Sequence, residues 1–220
     1  MPIQSNTNVS PYFDDFDDKK NFYRMLFKPG FPVQARELSQ SQTIINDQIE
    51  KLMSRFYNEG DTVVPGNFNI GNPTPYVRIS SLRQGLKAKD LIGFEITGVV
   101  SGVVAEVLYA EEKTDGHDAT LYVSYISSGN ENDAAHFQEG ESLTSNLPNN
   151  NDVNAIAAVG ISNISKPIDT PSMGFGSIFT VEEGVYYVSG FAVRNDKQTI
   201  TLDKYSTEPS YSIGFIVDED

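Results

Sequence analysis

The chain has 220 residues, 39% of them hydrophobic, with 13 Phe, 11 Tyr and no Trp, which is enough apolar material for one large core or two small ones and excludes wholesale disorder. A formal net charge of −14 argues against nucleic acid or an anionic membrane surface as the main partner, since both need clustered Lys and Arg. Cysteine is absent, so disulfides and thiolate metal sites are ruled out.

Residues 1–31 read as an N-terminal arm. The stretch Tyr12-Phe13-Asp14-Asp15-Phe16-Asp17-Asp18 alternates aromatics with acids. Tyr12, Phe13 and Phe16 either pack on their own domain or insert into a neighbouring subunit. The apolar run at 22–27 suits a strand or a helical turn, and Lys28-Pro29-Gly30 marks a turn. Met1 to Ser10 has no apolar signal segment, so synthesis and folding in a cytoplasm are expected.

Residues 32–60 predict one long amphipathic helix over 32–58, with Pro32 in its first turn and Gly60 as its stop. Ala35, Leu38, Gln42, Ile45, Ile49, Leu52 and Phe56 recur at alternating spacings of 3 and 4, the a and d positions of three heptads. Ile at both kinds of position leans toward trimers, and Gln42 could set the register. The stripe serves equally for packing between chains or for one helix lying on its own β-structure.

After Gly60 the texture becomes β. Residues 61–90 form a connector of short strands (62–64, 68–70, 76–79) broken by Pro65-Gly66, Gly71, Pro73 and Pro75. Residues 91–147 suggest a small barrel-like module, with strands at 92–96, 103–109 and 121–126 and a closing segment at 137–143. Residues 148–220 add antiparallel β-structure after an Asn-rich loop at 148–152. Strands are expected at 155–164, 176–181, 185–193, 198–202 and 211–217. Residues 184–202 read as a hairpin turning at Arg194-Asn195-Asp196. The predicted class is mainly β with one long N-terminal helix, an extended arm, a small β-barrel-like module and further antiparallel β-structure.

Little points to chemistry. His117 and His136 lie 19 residues apart in polar loops without a Cys, a poor basis for a metal site. Asp14, Asp15, Asp17 and Asp18 sit in the arm, and Asp152 and Asp169 in Asn- and Pro-rich loops, where a carboxylate is hard to tune. Asn130-Glu131-Asn132-Asp133 lacks the continuation of a calcium loop. Gly93, Gly98 and Gly102 belong to strand turns and precede no helix, so no phosphate loop is read there. No Gly-x-Ser-x-Gly turn occurs. No cofactor and no catalytic residue is expected. An alternative function is a receptor- or carbohydrate-binding module using Tyr122, Tyr125, Tyr186, Tyr187 and Tyr211, although alternating Tyr in strands usually marks sheet packing.

Several runs together carry a family resemblance. Tyr12-Phe13-Asp14-Asp15-Phe16, Lys20-Asn21-Phe22-Tyr23-Arg24-Met25-Leu26-Phe27-Lys28-Pro29-Gly30, Val33-Gln34-Ala35-Arg36-Glu37-Leu38-Ser39-Gln40 and Val63-Val64-Pro65-Gly66 resemble the N-terminal signature of a family of phage virion proteins. Gly190-Phe191, Gln198-Thr199-Ile200 and Leu202-Asp203-Lys204-Tyr205-Ser206 resemble the same family's later stretch. Its members are baseplate and tail-fibre-associated proteins of contractile-tailed phages, and they generally run longer than this sequence. The resemblance implies attachment within a virion tail, other tail or baseplate proteins as partners, and no catalytic residues. The interface it suggests comprises Tyr12, Phe13, Phe16, Leu38, Gln42, Ile45, Ile49, Leu52 and Phe56.

Overall fold

In the computed structural model the described residues are 7–114, 116–129, 135–147, 156–160 and 171–218. The expected arm residues 1–6, the Asn-containing stretches at 130–133 and 148–152, the strand portion at 161–164 and Asp169 lie outside them.

The helix α1 spans Ala35–Met53, shorter at both ends than the 32–58 expected. Its start is set by Glu37, whose carboxylate accepts the Gln34 backbone N–H at 2.9 Å and holds Gln34 in an extended conformation before the first turn. Pro32 therefore lies outside the helix. At the far end the Arg55 and Phe56 N–H groups bond to carbonyls three residues back, which tightens the chain out of the α-helical ladder.

Eleven strands follow: β1 (Thr62–Val64), β2 (Phe68–Leu82), β3 (Glu95–Gly98), β4 (Val104–Glu111), β5 (Ala119–Ser127), β6 (Ser142–Ser145), β7 (Ala157–Val159), β8 (Met173–Val181), β9 (Gly184–Val188), β10 (Phe191–Asn195) and β11 (Gln198–Asp203). The class is the one expected: mainly β, one helix, an extended arm, a closed barrel and additional antiparallel strands. Two compact units can be described, each by itself. The first takes residues up to Asn67, Val181–Gln198 and Phe215 onward; the second takes Phe68–Thr180 and Thr199–Gly214.

The second unit contains the barrel. Its strands run β2-β5-β4-β3-β6-β7, and β7 returns to β2 through Ile79↔Val159 and Leu82↔Ala157 to close the ring. Closure removes the free edges that an open sheet would leave. Strands β3 to β6 lie within 91–147, and β2 and β7 complete the ring from either side. The two runs expected at 68–70 and 76–79 belong to one strand. Pro73 and Pro75 interrupt no pairing with β5 because that register begins at Tyr76↔Tyr122.

Residues Tyr76, Val77, Arg78 and Ile79 are all buried, so β2 serves two cores. Val77 and Ile79 join Ile96, Val107, Leu121 and Leu143 in the main apolar cluster. Tyr76 belongs to a second cluster with Tyr122 and Ile178. Arg78 is fully buried: its guanidinium meets Asp118 at 3.3 Å and lies 5.2 Å from the Tyr205 ring.

One loop of the barrel is held by a carboxylate. Buried Glu141 accepts the N–H groups of Val100 (3.2 Å), Ser101 (3.0 Å) and Gln138 (2.6 Å) and the Ser101 hydroxyl (3.0 Å). A Cβ at Gly98 would come within 2.6 Å of Glu141 Oε2, so glycine is needed there. Glu141→Ala leaves several backbone donors without their acceptor and is expected to destabilise the fold by about 2–3 kcal/mol. Thermal melting checks this, and a loss below about 0.5 kcal/mol would mean that water replaces the carboxylate.

In the first unit β1, β9 and β10 form a three-stranded antiparallel sheet. The run 185–193, expected as one strand, is two strands joined by a two-residue turn. Ser189 (φ 49) and Gly190 (φ 92) both take the left-handed conformation such a turn requires. The hairpin expected over 184–202 with its turn at Arg194-Asn195-Asp196 does not form as such: β10 pairs with β9, and β11, beyond Asp196-Lys197, belongs to the other sheet beside β8. Residues 211–217, expected as a strand, form no strand. They show strand-like alternation, yet no sheet edge among the described residues pairs with them.

Candidate assembly interface

The arm and α1 belong to the first unit, and polar groups hold them together. Asp14 is buried and accepts the Thr43 hydroxyl and the Phe16 N–H (3.2 Å). Gln40 Nε2 donates to Asp15 at 3.1 Å, and Gln48 Nε2 to the Tyr23 carbonyl at 3.1 Å. Lys51 pairs with Asp18 and with Asp47, the latter at 2.8 Å. Hydrogen bonds donated by the Lys51 ammonium, first to Asp18 and then to Asp47, hold its pKa above the ordinary value.

This explains the alternation of aromatics and acids. Asp14, Asp15 and Asp18 face α1, Asp17 instead accepts the Lys19 N–H at 3.0 Å, and Tyr12 and Phe13 are left outside. Tyr12 is 59% exposed and Phe13 51%, while Phe16 is half-buried. About half of each of Tyr12 and Phe13 is thus uncovered by the chain's own unit. Asp14→Ala should release the arm. Limited proteolysis is expected to cut residues 7–30 faster by about an order of magnitude, for about 1–2 kcal/mol of lost local stability. An unchanged cutting rate would show that Asp14 does not hold the arm.

The same division runs along the helix. If Ala35 is an a position, then Thr43, Ile44, Asp47 and Lys51, together with Gln40, occupy b, c and f. With Gln48, a g position that reaches the Tyr23 carbonyl, these are the residues that meet the arm or the unit's interior, and Ile44 is the helix's one buried side chain, 2% exposed. The seam lies on the opposite side. Leu38, Ile45, Ile49 and Leu52 are between 45% and 62% exposed, and Ala35 and Gln42 are exposed too; Phe56, expected as the last helical position of the seam, is 74% exposed but lies in the turn past the end of α1 at Met53. The stripe is thus not spent on the chain's own β-structure.

Further exposed apolar side chains precede the helix. Phe22, Tyr23, Leu26, Phe27, Phe31 and Val33 lie in the segment before α1, each close to half exposed or more. A monomer seldom shows contiguous apolar patches beyond a few hundred Å². Sequence reasoning found the seam and the arm aromatics but missed Asp14, Thr43, Ile44 and Lys51. Only the arm's acid periodicity and a lone Ile outside the a and d positions could have signalled them.

Other candidates carry less. Tyr122, Tyr186 and Tyr187 are buried and Tyr125 is half-buried, so of the tyrosines considered for sugar contact only Tyr211 is broadly exposed. Burial pushes the Tyr125 hydroxyl up to about 12. His136 is exposed and sits edge-on to Tyr125 with ring centroids 5.0 Å apart. In the barrel unit an open cleft of about 420 Å³ is lined by Glu111, His117, Asp203, Lys204 and Tyr205, and Lys204 pairs with Glu111 within it. Among the described residues no group of three or more His, Cys, Asp or Glu is placed to hold a metal, and no helix is long and apolar enough to cross a membrane.

Comparison with known proteins adds one finding. A domain of unknown function (DUF4815) matches residues 10–82, the stretch that carries the arm, α1, β1 and β2. No curated protein and no solved structure matches the chain.

Proposed function

We propose that this chain is a non-enzymatic structural protein of a phage tail, a baseplate component or tail-fibre adaptor that attaches through its N-terminal arm and helix. The observation that carries the reading is the inverted use of α1. Its polar side is engaged within the unit, and its seam and the neighbouring arm aromatics face solvent. The phage setting rests on the resemblance of residues 12–66 and 184–214 to tail and baseplate proteins. The partners are other tail proteins and further copies of the chain, with three copies favoured by Ile45 and Ile49 at d and a. The product is made in the host cytoplasm and resides in the virion.

The mechanism is steric. Each large apolar side chain buried on docking contributes about 1.5–3 kcal/mol, and a few per subunit repeated around a symmetric ring make a stable joint. Mass spectrometry of purified particles tests the setting, and the chain is expected in the tail fraction at a stoichiometry that reflects tail symmetry. Finding it free of particles, or finding glycan binding by the chain with none in particles, would overturn the reading.

A further inference from the structure

The helix offers one more observation, about what covers the seam. The heptad register places Ser39 and Asn46 at e positions and Ser41 and Gln48 at g positions. None of these four is charged. Arg36, Glu37, Asp47, Glu50 and Lys51 fall on b, c and f, and the one charge on a flanking position, Arg55 at g, lies past the end of α1 at Met53. The chain as a whole carries −14, so like-charge repulsion opposes contact between identical surfaces unless those surfaces are spared from charge. The seam and its flanks are spared from residue 38 through residue 49. A partner of opposite charge would instead call for acidic flanks.

Gln42 decides orientation. It is the one polar side chain among the seven seam residues and sits toward one end of the stripe. In a parallel, in-register assembly each Gln42 faces the Gln42 of its neighbours, and the amides can pair. An antiparallel pair centred on the seam 35–56 would set Gln42 against Ile49, burying an amide on hydrocarbon with no partner. An antiparallel pair centred on Gln42 would leave Leu52 and Phe56 overhanging. Only the parallel arrangement buries the apolar positions and satisfies the amide together.

We propose that the occupant of the α1 seam is a second copy of this chain, packed parallel and in register through Gln42, while the chain's own arm holds the b, c and f face and, through the Tyr23 carbonyl, Gln48 at g. This rests on reading the helix as an assembly surface and names the partner at that surface. The arm then has two functions. Its acids keep the polar face of α1 occupied, and this turns the seam toward the neighbouring copies.

The absence of native cysteine gives a clean test with the full chain. Gln42→Cys is compared with Arg36→Cys, a b position on the outside of the assembly, under mild oxidation. Disulfides need Cα atoms within about 7 Å, so covalent dimers are expected at least about tenfold faster for Gln42→Cys. Ile49→Cys should link to itself in the same way, and light scattering of the unmodified chain should give a multiple of 24.3 kDa. A 24.3 kDa species at tens of micromolar would overturn the proposal. So would equal linkage at 36 and 42, or linkage only between Gln42→Cys and Ile49→Cys chains when mixed, which marks antiparallel packing. Particles that contain the chain without linkage at position 42 would leave the structural reading standing and remove the homotypic seam. Linked oligomers absent from particles would do the reverse.

Discussion

A chain carrying both Ile45→Asp and Ile49→Asp should behave as a single copy in light scattering and should fail to enter particles. Each isoleucine withdrawn from an interface removes about 1.5–3 kcal/mol per copy, so the pair weakens association by roughly two to four orders of magnitude before any cost of burying carboxylates. The fold of the individual chain should survive. Both side chains are about half exposed in the single chain, and exposed substitutions usually stay within about 0.5 kcal/mol. Circular dichroism and the melting temperature should therefore be close to those of the unsubstituted chain at concentrations where both are monomeric. Unchanged mass together with normal incorporation would remove the helix seam as the joint. The contrast with Ile44 is informative. It is one residue away and 2% exposed, so Ile44→Asp should unfold the first unit and leave the barrel's melting unaffected.

Asp118→Ala should cause the largest loss of stability in the barrel unit. The Arg78 and Asp118 side chains are both 0% exposed and meet at 3.3 Å. Removing the carboxylate takes from the buried guanidinium, which lies over the Tyr205 ring, the charge it meets at 3.3 Å. Breaking such a pair from one side costs about 3–5 kcal/mol, which lowers the melting temperature by roughly 10 °C for a chain of this size. Lys113 also reaches Asp118 at 3.3 Å, but its side chain is 47% exposed, so Lys113→Ala should cost less than about 1 kcal/mol. Replacing Arg78 and Asp118 together by Met and Leu should recover most of the loss, because no charge then remains to be solvated. A melting temperature within about 2 °C of the parent for Asp118→Ala would mean that water enters the site and solvates Arg78.

Much of this was legible in the sequence where a pattern is local. The 3–4 spacing from Ala35 to Phe56 marked the helix and its apolar side, because 3.6 residues per turn bring those positions to one face. The period-two runs at 103–109 and 121–126 marked two barrel strands for the same geometric reason. Boundaries were less legible. Pro32 suits a first turn, but the Glu37 carboxylate on the Gln34 N–H starts the helix later. The hairpin turn was misplaced because Ser189 is an uncommon residue at positive φ, while Asn195 and Asp196 are common turn formers. Residues 211–217 have the pattern of a strand but no edge to join, and alternation cannot report whether a partner exists.

Ring closure was beyond reach. Pairing Ile79 with Val159 joins residues 80 positions apart, and no local pattern encodes so long a contact. The buried pair of Arg78 and Asp118 is similar, since an arginine in a strand reads as solvent-facing until both faces of that strand are known to be covered.

The sequence by itself determined the class of the protein, the apolar stripe of α1, the aromatic arm and the lack of charge beside the seam between residues 38 and 49, because each is set by residues close together in the chain. Only the tertiary structure decided which way the stripe faces. Asp14 on Thr43, Asp15 on Gln40 and Asp18 on Lys51 occupy the helix's polar side, contacts between residues 25 to 33 positions apart. A helix held by its polar side within its own unit has its apolar side left for something else to cover.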